Sequence, residues 1–167
     1  MKPAISDTDI LSAFGKIGRV EILQRLFLKI YAAPAVYREL IMAEKLGLGW
    51  VTAVRDALDP VILTEKQIKE VEYLMTSYPQ LESGEVETFV LAKAHDLLCL
   101  TNDRQAKNAC HTLSIPYLDL EEILRAIKLK GVITHEALAQ LIDQIEEKVT
   151  PAVNSGHQLP HAAILFP

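Results

Sequence analysis

Cysteine is scarce in this chain of 167 residues, which contains only Cys99 and Cys110. The two form no CxxC pair, and each falls in an apolar or helical stretch. A disulfide framework is thereby excluded, and the pair reads as buried free thiols in a reducing cytoplasm. Long apolar runs are missing as well. None approaches the ~20 residues needed to span a bilayer, and the opening MKPAISDTD turns acidic too early for the apolar region of a secretory signal. A cytoplasmic protein with no membrane partner is the expectation. Basic charge is also short: 17 Lys and Arg stand against 22 Asp and Glu, a formal charge of −5. Nucleic-acid binders normally present a basic surface, so the deficit counts against one, except where carboxylates hold cations. There is no internal repeat and no low-complexity segment. What remains is ordinary for a globular domain, half of the residues apolar and 23% charged, with length enough to bury a core without staples.

Short apolar strands alternate with longer helical patterns, which predicts a parallel sheet covered by helices. Ala4 to Ser6 reads as a first strand, followed by a helix that breaks at Gly15 and Gly18 and resumes from Val20 to Leu26. Leu28 to Ala32 reads as a second strand. Pro34 suits the first turn of a helix running to about Leu46. From Trp50 to Gln80 the pattern is weaker: Asp59-Pro60 reads as a turn, Val61 to Leu63 as an extended piece, and Thr64 as the cap of a helix over Glu65 to Ser77. Ser83 reads as the cap of the next helix. Leu97 to Leu100 has the continuous apolar character of a buried central strand. A helix over Arg104 to Thr112, a strand near Ile115 to Tyr117, and helices at 119–129 and 135–147 follow. The expected fold is a three-layer α/β/α domain with a central parallel sheet of four or five strands, over residues 1–149. Residues 150–167 form a tail open to three readings: packing on the domain, pairing with a partner, or mobility.

Ligand sites in open parallel sheets lie beyond the carboxyl ends of the strands. Asp7 follows the first strand directly, and Asp103 follows the central strand after Thr101 and Asn102. Glu39 lies in the second turn of the helix that leaves the second strand. The helix at 83–95 runs antiparallel to the strand that follows it, so Glu85 at its start returns to the same edge. Four carboxylates from distant segments are thus expected to converge, with Asp9 a further candidate beside Asp7. Glu87 competes with Glu85, but the two are about 200° apart around one helix, and only one of them can face the edge. Converging carboxylates repel unless a cation joins them. A hard divalent ion such as Mg²⁺ or Mn²⁺ suits an all-oxygen set, and it activates water toward a phosphodiester.

Several other residues have plainer readings. Lys16, Arg19, Arg104 and Lys107 are placed to flank the acidic edge, where Arg104 and Lys107, with Thr101, are candidates for contact with substrate. Trp50 reads as a core or interface residue. His157 and His161 have metal-ligand spacing, but Pro160 disfavours the helix that this spacing needs.

Three segments together resemble a known family. ISDTDILSAFGKIGRVEIL is similar to the opening of PIN domains, PAVYREL to their second element, and SGEVETFVLAKAHDLLCLTNDRQAKNAC to the third and fourth. IPYLDLEEILRAIKLKGVI resembles the helical end of a toxin-like (VapC-like) prokaryotic branch. The resemblance spans about residues 3 to 147. It implies a metal-dependent endoribonuclease, a homodimer, and a partner antitoxin protein. Its acids fall on Asp7, Glu39, Glu85 and Asp103, as metal ligands and catalytic groups acting on RNA. Two alternatives stand beside it. One is a catalytically inactive PIN scaffold that binds RNA or protein. The other is a phosphatase of the haloacid-dehalogenase type, with Asp7 as nucleophile, Asp9 as general acid, and Lys93 or Lys107 as its lysine.

Overall fold

A computed structural model describes residues 2–149 and Ile164. Its elements follow in the order β1 (Ala4–Ser6), α1 (Thr8–Lys16), α2 (Val20–Leu26), β2 (Ile30–Ala32), α3 (Pro34–Lys45), α4 (Trp50–Asp56), β3 (Asp59–Pro60), α5 (Glu65–Ser77), α6 (Ser83–His95), β4 (Leu98–Leu100), α7 (Arg104–Thr112), β5 (Tyr117–Leu118), α8 (Leu120–Leu129) and α9 (His135–Val149). The five strands form one all-parallel sheet in the order β3-β2-β1-β4-β5. The expected α/β/α architecture is therefore present.

The strand order places the site. From β1 the chain steps outward through β2 to β3, then returns across the sheet to β4 on the other side of β1. Parallel crossovers are right-handed, so the α1–α2 and α5–α6 connections, which run in opposite directions, cover opposite faces. On one face α1 packs against α2, α4 and α9, and α8 against α2 and α9; on the other, α6 lies against β1, β4 and α5. Between β1 and β4 the winding reverses, which opens the crevice where such sheets bind ligands. In register, Ser6 lies opposite Leu100, and the Asp7 N–H donates to the Leu100 carbonyl at 3.1 Å.

Several boundaries differ from the sequence reading, each for a local reason. Gly15 does not break α1 but is buried within it. A Cβ there would lie 2.5 Å from Trp50 Cε3 and 2.7 Å from Val54 Cγ2, so glycine lets α4 press directly onto α1. The break comes at Gly18, whose φ of 68° is left-handed. Asp59-Pro60 is strand β3, not a turn; it sits at the sheet edge, where proline's missing N–H costs no ladder bond. Leu28 is exposed and β2 starts at Ile30, while β5 lies later than expected, at Tyr117–Leu118. The cap of α6 is Glu82, with Ser83 inside the helix. Thr64 does cap α5, in a reciprocal capping box with Gln67.

The core runs through both layers and includes Phe14, Phe89, Leu91, Leu100 and Ile123. Cys99 and Cys110 are buried free thiols. A hydrogen bond to Cys110 and burial hold the Cys99 thiol well above its usual range, so it stays protonated and inert. Among the described residues no helix is long and apolar enough to cross a membrane. Of residues 150–167 only Ile164 is described, and it is buried in the same core. His157, Pro160 and His161 lie outside the described residues.

Candidate active site

At the carboxyl edge of the switch point, one cavity of about 190 Å³ is lined by Asp7, Thr8, Asp9, Val36, Glu39, Glu82, Gly84, Glu85 and Asp103. All four predicted acids line it, together with Asp9. Glu82 joins them; it caps α6 one residue before Ser83, the cap expected from the sequence.

Three of the four predicted acids arrive through a helix N-terminus. Asp7 is the N-cap of α1, its Oδ1 accepting from Ile10 N at 3.0 Å. Asp103 is the N-cap of α7, and its Oδ1 accepts from Gln105 N at 2.7 Å and Ala106 N at 2.8 Å. Glu85 closes the capping box of α6, its Oε2 accepting from Glu82 N at 2.8 Å. Glu39, in the second turn of α3, is held by a side chain instead: Thr8 Oγ1 donates to its Oε2 in a short hydrogen bond. These caps are ordinary helix chemistry. They also fix where the remaining carboxylate oxygens stand.

Glu87 has a different task. Only 7% exposed, it accepts from Ala35 N at 2.6 Å and pairs with Arg38 at 3.4 Å. It thus ties α6 to the start of α3, and it does not line the cavity.

Crowding of negative charge registers in protonation. Burial raises the Asp7 carboxyl to about 7, and Asp9 and Glu85 push the same way against hydrogen bonds from Thr101 and the Ile10 N–H. Asp9 is raised by burial and by the charges of Asp103 and Glu82, partly offset by Lys16. Glu85 is raised by burial, with Asp103, Glu82 and Asp9 adding to it and the Glu82 N–H opposing. Among the described residues, no three His, Cys, Asp or Glu side chains stand in ligating geometry. The donor chemistry fits a hard cation all the same. The donors are carboxylate oxygens, their mutual repulsion asks for positive charge, and Mg²⁺-type ions keep several waters and need few direct protein ligands.

The candidate substrate contacts fare unevenly. Thr101 is 1% exposed and accepts from Asp103 N at 3.3 Å. It braces Asp7 and Asp103 from behind and is closed to substrate. Lys107 is drawn away to Asp119, 3.1 Å from its Oδ2. Arg104 is exposed at the first position of α7. Arg19 pairs with Glu21 at 3.6 Å. For the phosphatase alternative, Lys107 is thus engaged elsewhere, and Lys93 sits in the last turn of α6, at the far end from Glu85. Neither supplies the lysine which that chemistry needs.

Compared with known proteins, residues 3–152 match a family described as a PIN domain. No curated protein and no solved structure matches the chain.

Proposed function

The chain belongs to the PIN-domain family, a nuclease-type fold, and from that premise we propose that it is a Mg²⁺- or Mn²⁺-dependent endoribonuclease, the toxin of a toxin–antitoxin pair. The observation that carries the proposal is the cavity at the switch point, lined by carboxylates from four helices. Asp7, Glu39, Glu85 and Asp103 would hold the cation, with Asp9 beside them. Once bound, such an ion supplies water activation and neutralises charge on the phosphate oxygens. Thr101 orients Asp7 and Asp103. Arg104, exposed next to Asp103 in sequence, offers a cation to the substrate backbone, which the chain's net negative charge otherwise disfavours.

Cleavage of a labelled RNA with and without Mn²⁺ tests this. Wild type and Glu87→Gln are expected to cleave at similar rates, because Glu87 does not line the cavity and Gln keeps an acceptor for the Ala35 N–H. Glu85→Gln is expected to lose several kcal/mol of transition-state stabilisation, on the order of 10²-fold in rate. Metal-independent cleavage, or equal losses at Glu85 and Glu87, would sink the assignment. Tight RNA binding with no cleavage under any metal would favour the inactive scaffold.

The antitoxin is expected to present an Arg or Lys into the carboxylate cavity, replacing the cation with charge-assisted hydrogen bonds. Its remaining contact would be apolar, an amphipathic helix laid beside the site. Such a complex should weaken as Mn²⁺ or salt is raised, and Asp7→Asn should weaken it as well. Co-purification with the product of the neighbouring small gene, followed by both titrations, checks this. A complex indifferent to Mn²⁺ and to Asp7→Asn would place the inhibitor elsewhere. We also assign the protein a homodimeric state, on the family's habit.

A further inference from the structure

Gly84 immediately precedes Glu85 in the first turn of α6, where glycine is a poorer helix former than nearly every other residue. Its backbone is not left-handed, so conformation does not call for it. Space does. A Cβ at 84 would stand 3.2 Å from Val36 Cγ2 and 3.3 Å from Glu39 Oε1, both tighter than normal packing. A side chain at 84 would therefore press on the Glu39 carboxylate and on Val36 by a few tenths of an ångström. On its other side, its Oε2 accepts a hydrogen bond from Thr8 Oγ1.

This sets Glu39 apart from its companions. Asp7, Glu85 and Asp103 are fixed by backbone N–H groups of their own helices. Glu39 reaches the cavity on a longer arm from α3, and what steadies it belongs to α1 and α6. We infer that Thr8 and Gly84 are positioning residues for Glu39, Thr8 through its hydrogen bond and Gly84 by lacking the Cβ that would press on the carboxylate. Glu39 is then the adjustable ligand of the cavity, and its placement depends on how closely α1, α3 and α6 meet. The inference rests on reading the cavity as a divalent-cation site.

The test is Mn²⁺ binding to the full chain, read by the electron paramagnetic resonance of free Mn²⁺ so that no activity is needed. Gly84→Ala and Thr8→Val are each expected to weaken binding about tenfold or more, as loss of support around a ligand commonly does. Thr8→Ser, which keeps the hydroxyl, should bind like wild type. In a Glu39→Ala background neither change should weaken binding further, because residues acting through Glu39 have nothing left to position. Melting without metal reports whether each variant is folded. If Gly84→Ala melts early through its contact with Val36, the Thr8→Val and Thr8→Ser pair decides. Wild-type affinity in Thr8→Val or in a stably folded Gly84→Ala, or a full loss that persists in the Glu39→Ala background, overturns the inference and leaves the cation site standing. Absence of Mn²⁺ binding by the wild type defeats the site and the inference together.

Discussion

Replacing Asp7 with Asn is expected to raise the stability of the metal-free protein above pH 7 by about 2–4 kcal/mol while abolishing RNA cleavage. The carboxyl titrates near 3.8 when exposed and at about 7 in the fold, chiefly because it is buried. Between those values the native state holds a proton that the unfolded chain has released. Stability must therefore fall as pH rises through that window, by about 1.4 kcal/mol per unit at most. Asp9 and Glu85 are raised too and steepen the same slope. Asn carries no charge to desolvate, and it serves as well as Asp at an N-cap, so the Ile10 N–H keeps its acceptor. The check is urea unfolding of both proteins in EDTA from pH 4 to 9. Wild type should lose stability toward alkaline pH and the variant much less. Mn²⁺ should remove most of the wild-type slope, because it favours the ionised form and stabilises the state it binds. A variant less stable than wild type at pH 8 would mean that Asp7 is ionised and satisfied without a cation, and the charge account of the site would fail.

Asp103 allows a sharper separation, between holding a helix and doing chemistry. Its Oδ1 accepts two N–H groups at the start of α7, which alone would justify an Asp there. Asp103→Asn retains that cap and removes the charge. It is expected to fold with a stability within about 1 kcal/mol of wild type and to cleave RNA on the order of 10²–10³-fold more slowly. Asp103→Ala removes both functions, and should lose a comparable rate plus about 1 kcal/mol of stability. Rates and urea midpoints for the three proteins distinguish the roles. If Asn cleaves like wild type and only Ala is impaired, Asp103 is a cap and nothing more.

Much of this was legible in the residues. The elements with strong local signals, such as α5 behind its Thr64 cap and α7 over Arg104–Thr112, fall where the sequence pattern put them. The convergence of Asp7, Glu39, Glu85 and Asp103 followed from a topological rule about strand ends, which needs only the order of elements. What was not legible depends on contacts between segments distant in sequence. Gly15 reads as a helix breaker until Trp50 is seen lying where its side chain would be. Asp59-Pro60 reads as a turn until the edge of the sheet accepts it as a strand. Thr8 and Gly84 carry no signal of their own, since what they touch is Glu39, on another helix. Ile164 likewise acquires its place only from the core it enters.

The caps have a consequence for how such a protein changes over generations. Because Asp7, Glu85 and Asp103 each satisfy a helix start with one oxygen, replacement by the corresponding amide leaves the helices capped, and under the proposed function it would silence the chemistry. At Asp7 the amide is also expected to be the more stable form when no metal is present. Under that reading, selection for folding alone would favour the inactive form, which a single base change reaches, since Asp and Asn codons differ at one position.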